Sequence, residues 1–563
     1  MVNSSKWVVF NFYLLSNKIF KNYLKLELMF TFFAFYLVIQ ILTFYAGKGL
    51  YVTSLLTTGN KDRLSFSLFG LSQSTFYPVL FIIFIGNISF LINFFFPLNL
   101  YFLVVPLIFF GVLGVFLDRT VNIKFNEFLI YCISFITFFG IRPGEDFFLY
   151  HSNVISLLRN EKIIFGLAIF NKRYGYSSIY EYFSNYFLID TNILLLHIPF
   201  LLFVNFFFIF IYRTLKHRSS QVKYLGVVLA IIGILDNFGF SGGKNSFIDI
   251  DNIGKFDSVF SIVFIVSFAL LITQYEKKLS TQEIFLISIL ILFGIQLKHT
   301  GVLLLFAMFI VSPKLVKHFM KNKIIILLGI FWILKNLLLS SCAMFPVQIT
   351  CIDNFFWSVE NYAKEEEMLI KDALNAFSVN LGLKNSFLQW KDGNLTNFHV
   401  FLNTSITFLI VIILEFFLLK PKIKSQLHFF KGFLIFSGFV AYIFLSIPDS
   451  RFALGILTSL TILNFYFFKF KDIKINKGIV SLIFIISLML YPRASSYELM
   501  LSRQFNNRID YPEIEYKPRQ SSYGFTSSNG AEACWGNYFC TTPGSLNVKL
   551  DNYYTYKMFV PVK

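Results

Sequence analysis

Charged residues are scarce in this chain. They make up 14% of its 563 residues, whereas hydrophobic residues make up 56% and phenylalanine alone occurs 77 times. Disordered chains and coiled coils need far more charge, and a soluble domain cannot bury so much apolar surface. The five cysteines are too few and too scattered for a small disulfide-stapled secreted module.

Motifs that bind metals or nucleotides are also missing. The sequence has no C-x-x-C and no H-E-x-x-H, and the glycine-rich run from 238 to 245 lacks the Walker spacing. Asp249 and Asp251 form a D-x-D in a polar loop, which is a weak signal for a divalent cation. We therefore predict no metal site and no cofactor, with a divalent cation as the alternative. No A-x-A-like cleavage site follows a short apolar core, so we also predict no signal peptide.

Apolar runs of about 15 to 23 residues fill most of the chain, and the mean hydropathy is +0.66. The fold class that they predict is an all-α, polytopic transmembrane helical bundle of roughly 13 to 14 spans. The predicted spans are 28–46, 73–95, 98–117, 126–141, 191–212, 224–240, 257–274, 283–298, 300–313, 324–340, 397–419, 429–447, 453–468 and 478–492.

The net charge of +18 comes from lysines and arginines that collect in alternate short connections. This alternation follows the positive-inside rule, so the charge indicates topology and not a nucleic-acid partner. It places loops 142–190, 237–256 and 341–396 on the outer side, together with a C-terminal tail from 493 to 563. The lysines before residue 26 conflict with this order. Either residues 1–27 form an interfacial segment with an amphipathic helix, or span 28–46 does not cross fully.

Four of the cysteines fall in the predicted outer segments, where disulfides persist. We predict the local pairs Cys342–Cys351 and Cys534–Cys540 among the three possible connectivities, with four free thiols as the alternative.

The first outer loop carries the residues most suited to chemistry. Glu145 and Asp146 follow directly on a span, where carboxylates are costly unless they have a role. If a helix starts at Glu145, Asp146, Tyr150 and Asn153 share one face. The alternative is that both acids cap an outer helix. Further along, Arg159 and Arg173 are suited to a phosphate or an anionic headgroup, or they anchor the loop at the membrane interface.

Several boxes occur in an order that resembles an uncharacterised bacterial family of polytopic membrane proteins. The resemblance covers about residues 66 to 540, and it departs from the family pattern around Glu145–Asp146 and at Lys335, where arginine is common. The boxes are Leu-Tyr-His at 149–151, Gly-Leu at 166–167, Arg-Tyr-Gly-Tyr-Ser-Ser at 173–178, Phe-Asp at 256–257, Gln-Leu-Lys at 296–298, Lys-Asn at 335–336, Pro-Asp-Ser-Arg-Phe at 448–452 and Cys-Trp at 534–535.

That family in turn resembles the GT-C type glycosyltransferases, which take a sugar from a polyprenyl-phosphate donor on the outer side of the membrane. The resemblance implies that a carboxylate of the first outer loop is the base, with Asp146 as the first choice and Glu145 as the second. Fixed cations would then hold the departing phosphate. The remaining residues expected at the substrate are Tyr150, His151, Asp257, Lys298, His299 and Arg451.

Each of these residues also has a structural interpretation. Arg451 could pair with Asp449, Lys298 could extend to the membrane surface, His299 could be a satisfied interfacial histidine, and Asp257 could cap its helix. The stretch from 360 to 377 is amphipathic, and we expect segment 341–396 to lie on the membrane as a lid, with Trp357 and Trp390 at headgroup level.

The function predicted from the sequence is a multi-pass glycosyltransferase of a bacterial inner membrane. It would transfer a sugar from a polyprenyl-phosphate donor to a glycan or lipid acceptor of the cell surface. The alternatives are a surface-polysaccharide polymerase with arginines in its outer loops, and a transporter or flippase of lipid-linked sugars. A transporter is disfavoured because no clear internal repeat or mid-membrane charge is evident.

Overall fold

The protein is described by a computed structural model. It describes residues 29–54, 71–117, 123–143, 147, 151–188, 193–217, 220–237, 256–273, 281–311, 313–373, 477–490, 494–502 and 548–561, with short pieces at 67–68, 252–253, 410, 419–421, 455–456, 458–459, 462, 468–470, 519–520, 526–527 and 540–541.

The described part is mostly helical, as predicted. The helices are α1 (Met29–Ser54), α2 (Tyr77–Asn93), α3 (Tyr101–Leu117), α4 (Phe125–Ser134), α5 (Ser152–Asn160), α6 (Leu167–Phe170), α7 (Ile179–Ser184), α8 (His197–Leu215), α9 (Ser220–Asn237), α10 (Asp257–Thr273), α11 (Thr281–Leu297), α12 (Val302–Val311), α13 (Pro313–Lys321), α14 (Lys323–Ser340), α15 (Tyr362–Ala373), α16 (Lys477–Leu490) and α17 (Ala494–Leu501). Predicted spans 397–419, 429–447 and 453–468 lie almost entirely outside the described residues.

The strands of the described part are short, with two to six residues each. They are β1 (Ser67–Leu68), β2 (Leu71–Ser72), β3 (Arg142–Pro143), β4 (Asn252–Ile253), β5 (Leu419–Pro421), β6 (Phe468–Phe470), β7 (Arg519–Gln520), β8 (Thr526–Ser527), β9 (Cys540–Thr541), β10 (Val548–Tyr553) and β11 (Tyr556–Pro561). The parallel pairing of β3 with β4 brings the start of the first loop beside the approach to α10.

Helix α8 lies at the centre of the helical body. Its most apolar window, within Leu194–Leu215, is entirely buried, and it packs against α4, α9 and α10. A helix that is hydrophobic on all sides is stable only when it is enclosed by other helices or by lipid. Phenylalanines fill the contacts, for example where the rings of Phe203 and Phe293 stack with centroids 5.9 Å apart. The abundance of phenylalanine therefore serves the packing between helices.

Glycines let α1 and α3 approach closely. A Cβ atom on Gly114 would lie 2.0 Å from the carbonyl oxygen of Tyr45, and one on Gly49 would lie 1.9 Å from that of Phe110. Small residues at such crossings are characteristic of helices that associate in lipid.

Three helices of the described part are long and apolar enough to cross a membrane: Met29–Ser54, Leu194–Leu215 and Lys323–Ser340. Helix Met29–Ser54 is therefore long enough to cross, whereas the conflict raised by the lysines before residue 26 concerns its orientation. Most of the other apolar helices have 10 to 17 residues, fewer than the roughly 20 that a bilayer core requires.

Two basic connections, 213–223 and 314–323, have structure that the charge pattern alone does not predict. Arg213, expected only to mark the cytoplasmic side, is largely buried and donates from Nε and Nη2 to Glu127, at 2.9 and 2.6 Å. It also donates to the hydroxyls of Ser74 and Thr75, so it ties three segments together. The basic connection near 314–323 is mostly helix α13. Leu315 and Phe319, at positions i and i+4 of this helix, are both buried in the core.

Candidate functional site

Polar side chains from five separate segments meet at one end of the helical body. Hydrogen bonds link the segments in a chain, from the start of α5 through α7 to the ends of α11 and α14, and the pair at the start of α10 adjoins it. We call this set the polar cluster; it comprises His151, Ser177, Ser178, Glu181, Asp257, Lys298, His299 and Lys335.

Glu181 is at the centre of the polar cluster and is almost fully buried. It caps helix α7 by accepting a hydrogen bond from the Ser178 backbone N–H at 3.1 Å, and Ser178 returns a side-chain cap. The other carboxylate oxygen lies 3.0 Å from His151 Nδ1. Because a carboxylate can only accept, Nδ1 of His151 carries the proton. The pair therefore holds a buried imidazole in one tautomer and orientation.

Lys335 is fully buried within α14. Its Nζ atom donates to Ser177 Oγ at 2.9 Å and lies 3.4 Å from the centre of the Trp332 ring, with the Tyr182 ring 5.4 Å away. A buried amino group needs partners of this kind, because desolvation without them is costly. Lys335 thus fixes Ser177 next to the His151–Glu181 pair.

The partly buried ion pair Lys298–Asp257 joins α11 to the first residue of α10, with Nζ and Oδ1 2.6 Å apart. The chain turns sharply after Lys298, so that His299 follows in a single 3-10 turn. Burial lowers the pKa of His299 to about 4, together with the positive charge of Lys335, while a hydrogen bond to the Phe345 backbone opposes the shift. His299 is therefore neutral near pH 7. Of the neighbours Lys298 and His299, only Lys298 is a cation.

The predicted outer segments pack on one another beside the polar cluster. Strand β11 of the β10–β11 hairpin pairs with the backbone at Phe165. The Phe165 carbonyl accepts a hydrogen bond from the Phe559 N–H at 2.9 Å. Phe559 also stacks on Phe170, with ring centroids 4.5 Å apart. The disulfide Cys342–Cys351 is present as predicted, and Phe345 of that loop lies against Gly175. The described part of the tail and both loops thus pack against one another.

One prediction about these segments is wrong. Trp357, expected at headgroup level, is buried against Phe165 and Phe355 and donates from Nε1 to the Leu337 carbonyl. A buried tryptophan needs an acceptor for its indole N–H, and here the protein backbone provides it.

A cavity of about 20 Å³ lies beside Ser177 and Tyr182. It has room for one water molecule and is far too small for a sugar.

The structure brings together His151, Asp257, Lys298 and His299 of the predicted site. Arg159, at the end of α5, and Arg173, on an exposed turn, lie outside the polar cluster. Glu145, Asp146, Tyr150 and Arg451 lie outside the described residues, as do Asp249, Asp251, Cys534 and Trp390. Phe147, between the candidate bases and His151, is buried.

Sequence reasoning missed Glu181 as a member of the site. The signal was available, because Ser178-x-x-Glu181 ahead of an apolar stretch is a capping box. Its partner His151, however, is 30 residues away along the chain, so no local sequence motif predicts the pair. Among the described residues, no group of three or more His, Cys, Asp or Glu side chains could hold a metal ion.

Comparison with known proteins gives one family. A family model described as a domain of unknown function, DUF8201, matches residues 29–458, a range that contains the whole polar cluster. No curated protein and no solved structure matches the chain.

Proposed function

Because the chain belongs to the DUF8201 family, whose function is not known, we propose a function from the polar cluster: transfer of a sugar from a polyprenyl-phosphate donor to a glycan or lipid acceptor. The protein would be a multi-pass GT-C-like glycosyltransferase that acts on the outer face of a bacterial inner membrane.

The observation that carries this proposal is the Lys298–Asp257 pair beside the buried His151–Glu181 and Lys335–Ser177 pairs. Structural cores rarely hold so many ionisable groups unless those groups have a function. Lys298 keeps part of its surface accessible, so it can exchange Asp257 for a second anion. In the proposal, the phosphate of a polyprenyl-phosphate donor is that anion.

The transfer has a simple balance. The acceptor hydroxyl oxygen forms a bond to the anomeric carbon while the bond from that carbon to the phosphate oxygen breaks. The hydroxyl proton passes to a carboxylate, for which Asp146 is the first choice and Glu145 the second. Negative charge grows on the departing phosphate, where the ammonium of Lys298 stabilises it.

In this mechanism Lys335 and Glu181 are positioning residues. Both are enclosed by protein, so neither reaches the substrate directly. Glu181 fixes the imidazole of His151, and Lys335 fixes Ser177 at the start of the same short helix. Preorganised groups of this kind lower the barrier because they need not reorient during the reaction.

The experiment is a transfer assay with purified protein in nanodiscs and a panel of prenyl-phosphate hexoses, in which release of prenyl phosphate is measured. We expect release by the unaltered protein and at least about a hundred-fold loss in either Asp146→Asn or Glu145→Gln. Asp353→Asn, at an exposed acid of the disulfide loop, is the matched control. Undiminished transfer in both acid variants would remove the assigned base.

A further inference from the structure

Apolar side chains project from the disulfide loop, defined as residues 341–356. Ile349 is 92% exposed and Phe356 is 74% exposed, and Val347 and Ile352 are exposed as well. Scattered exposed apolar residues are ordinary, but four within ten positions of one short loop indicate an interaction surface. From 336 to 359 the chain carries a single charged residue, Asp353.

The loop is held rigidly, so the exposure is built into its fold. The disulfide joins Cys342 to Cys351, and Ile352 N–H donates to the Ser341 carbonyl at 2.9 Å. Inside the ring, Thr350 accepts from Met344 N–H through its hydroxyl and from Ala343 N–H through its carbonyl. The chain leaves α14 and returns to the same point, so the loop stays close to the end of that helix.

Helix α14 fixes the level of the loop relative to a bilayer. It is one of the three helices long enough to cross, and its 18 residues extend about 27 Å. Beyond the exposed Lys323 at its first residue, its outward stripe is apolar and comprises Ile324, Leu327, Ile330, Ile333 and Leu334. The loop begins directly after Ser340, so its exposed side chains continue an apolar helix surface at the depth where the hydrocarbon ends.

A second loop at the same end has the same character. The turn 94–100 between α2 and α3 exposes Phe95 and Phe96, and no charged residue occurs from 94 to 117. It belongs to the site end, because Leu98 N–H donates to the Leu158 carbonyl and Ile163 N–H donates to the Asn93 carbonyl.

We propose that the disulfide loop and the turn 94–100 insert their exposed apolar side chains into the boundary between lipid headgroups and acyl chains. The two loops would fix the depth of the molecule and hold the polar cluster at headgroup level. The occupant is lipid because both loops continue uncharged helix surfaces. The anchoring side chains are Ile349, Phe356 and Phe96, and not Trp357. This inference rests on the membrane location of the chain, and not on sugar transfer.

The test is tryptophan quenching by brominated lipids. Ile349→Trp and Phe96→Trp are prepared in the full chain in nanodiscs, with the emission of the unaltered protein subtracted. Tyr554→Trp is the matched control, because Tyr554 is 87% exposed but lies at the tip of the polar β10–β11 hairpin. Resistance of the loop cysteines to maleimide without reductant shows that each variant keeps its disulfide.

We expect lipids brominated near the headgroup to remove at least about half of the emission of Ile349→Trp and Phe96→Trp. Lipids brominated at the ends of the acyl chains should quench these two variants less. Neither kind of brominated lipid should quench Tyr554→Trp. Quenching of Ile349→Trp no greater than that of the control would overturn the proposal. A blue-shifted Ile349→Trp emission without quenching would also overturn it, because protein and not lipid would then cover the loop. Lack of transfer activity has no bearing on either result.

Discussion

Among single residues, Glu181 contacts two members of the polar cluster, His151 and Ser178. Replacing it with alanine removes its half of the α7 capping box and takes away the acceptor of the Ser178 N–H and of His151 Nδ1. We expect Glu181→Ala to lower the free energy of unfolding by about 2–4 kcal/mol. The measurement is a denaturation series in mixed micelles. Glu365→Ala is the control, because its exposed pair with Lys172 contributes at most about 1 kcal/mol.

Glu181→Gln separates orientation from stability. The amide can accept from the Ser178 N–H but then turns its NH₂ group toward His151, which must present a bare Nδ1. We expect a folded protein in which the His151 proton moves to Nε2. Nitrogen-15 shifts of labelled histidine rings report the tautomer, and unchanged shifts would show that Glu181 does not set it.

His299 gives a pH dependence. Its folded-state pKa of about 4 lies below the ordinary value of 6.5. Below about pH 6.5 His299 is protonated in the unfolded chain but stays neutral in the folded chain. The free energy of unfolding therefore falls as the pH drops toward 4. We expect the melting temperature to fall less between about pH 7.5 and 5 in His299→Asn than in the unaltered protein. Equal slopes would contradict the assigned pKa.

The limits of sequence reasoning at this scale follow from distance along the chain. Lys298 and Asp257 were predicted individually, yet their ion pair joins residues 41 apart. Lys335 was noted only for its residue type, whereas its burial on Trp332 decides that it cannot touch substrate. A pattern identifies polar residues in apolar surroundings, and only the fold shows which of them meet.

At the scale of elements, uncharged apolar runs located the helices closely. Span 257–274 is helix Asp257–Thr273, and span 324–340 is helix Lys323–Ser340. Such runs have few other stable structures, because every backbone group must find a partner within the segment. The hairpin of β10 and β11 could not be foreseen in the same way, since its partner at Phe165 lies almost 400 residues earlier.

Gly166 is the residue that allows the hairpin to dock. It has a φ of +66°, and a Cβ atom there would lie 2.7 Å from the Phe559 carbonyl oxygen and from Trp357 Cβ. We expect Gly166→Ala to destabilise the protein by about 1–3 kcal/mol and to loosen the hairpin. Hydrogen exchange of residues 548–561 measures the second effect.

Gly111 provides the matched control for this substitution. It lies in the interior of α3, and a Cβ atom there would meet no other atom within 4 Å. We expect Gly111→Ala to be neutral or to stabilise by up to about 1 kcal/mol. Equal effects of the two substitutions would show that the hairpin contact does not depend on a bare backbone at Gly166.

For the whole molecule, the excess of positive charge has more than one role. Arg213 binds Glu127 inside the protein at one end, while Lys335 and Lys298 belong to the polar cluster at the other. The positive-inside rule predicts the side on which a cation lies and not its contacts. The surroundings of these three are fixed by the fold.

The most direct test of the central claim is the kinetics of prenyl-phosphate release in Lys298→Met, Lys298→Arg and Lys321→Met. Lys321 is an exposed lysine of α13 outside the polar cluster. The account predicts a loss of about 10- to 1000-fold in kcat/KM for Lys298→Met, partial recovery in Lys298→Arg and no change in Lys321→Met. Release by the unaltered protein that Lys298→Met leaves unchanged, or no release with any prenyl-phosphate sugar, would contradict it.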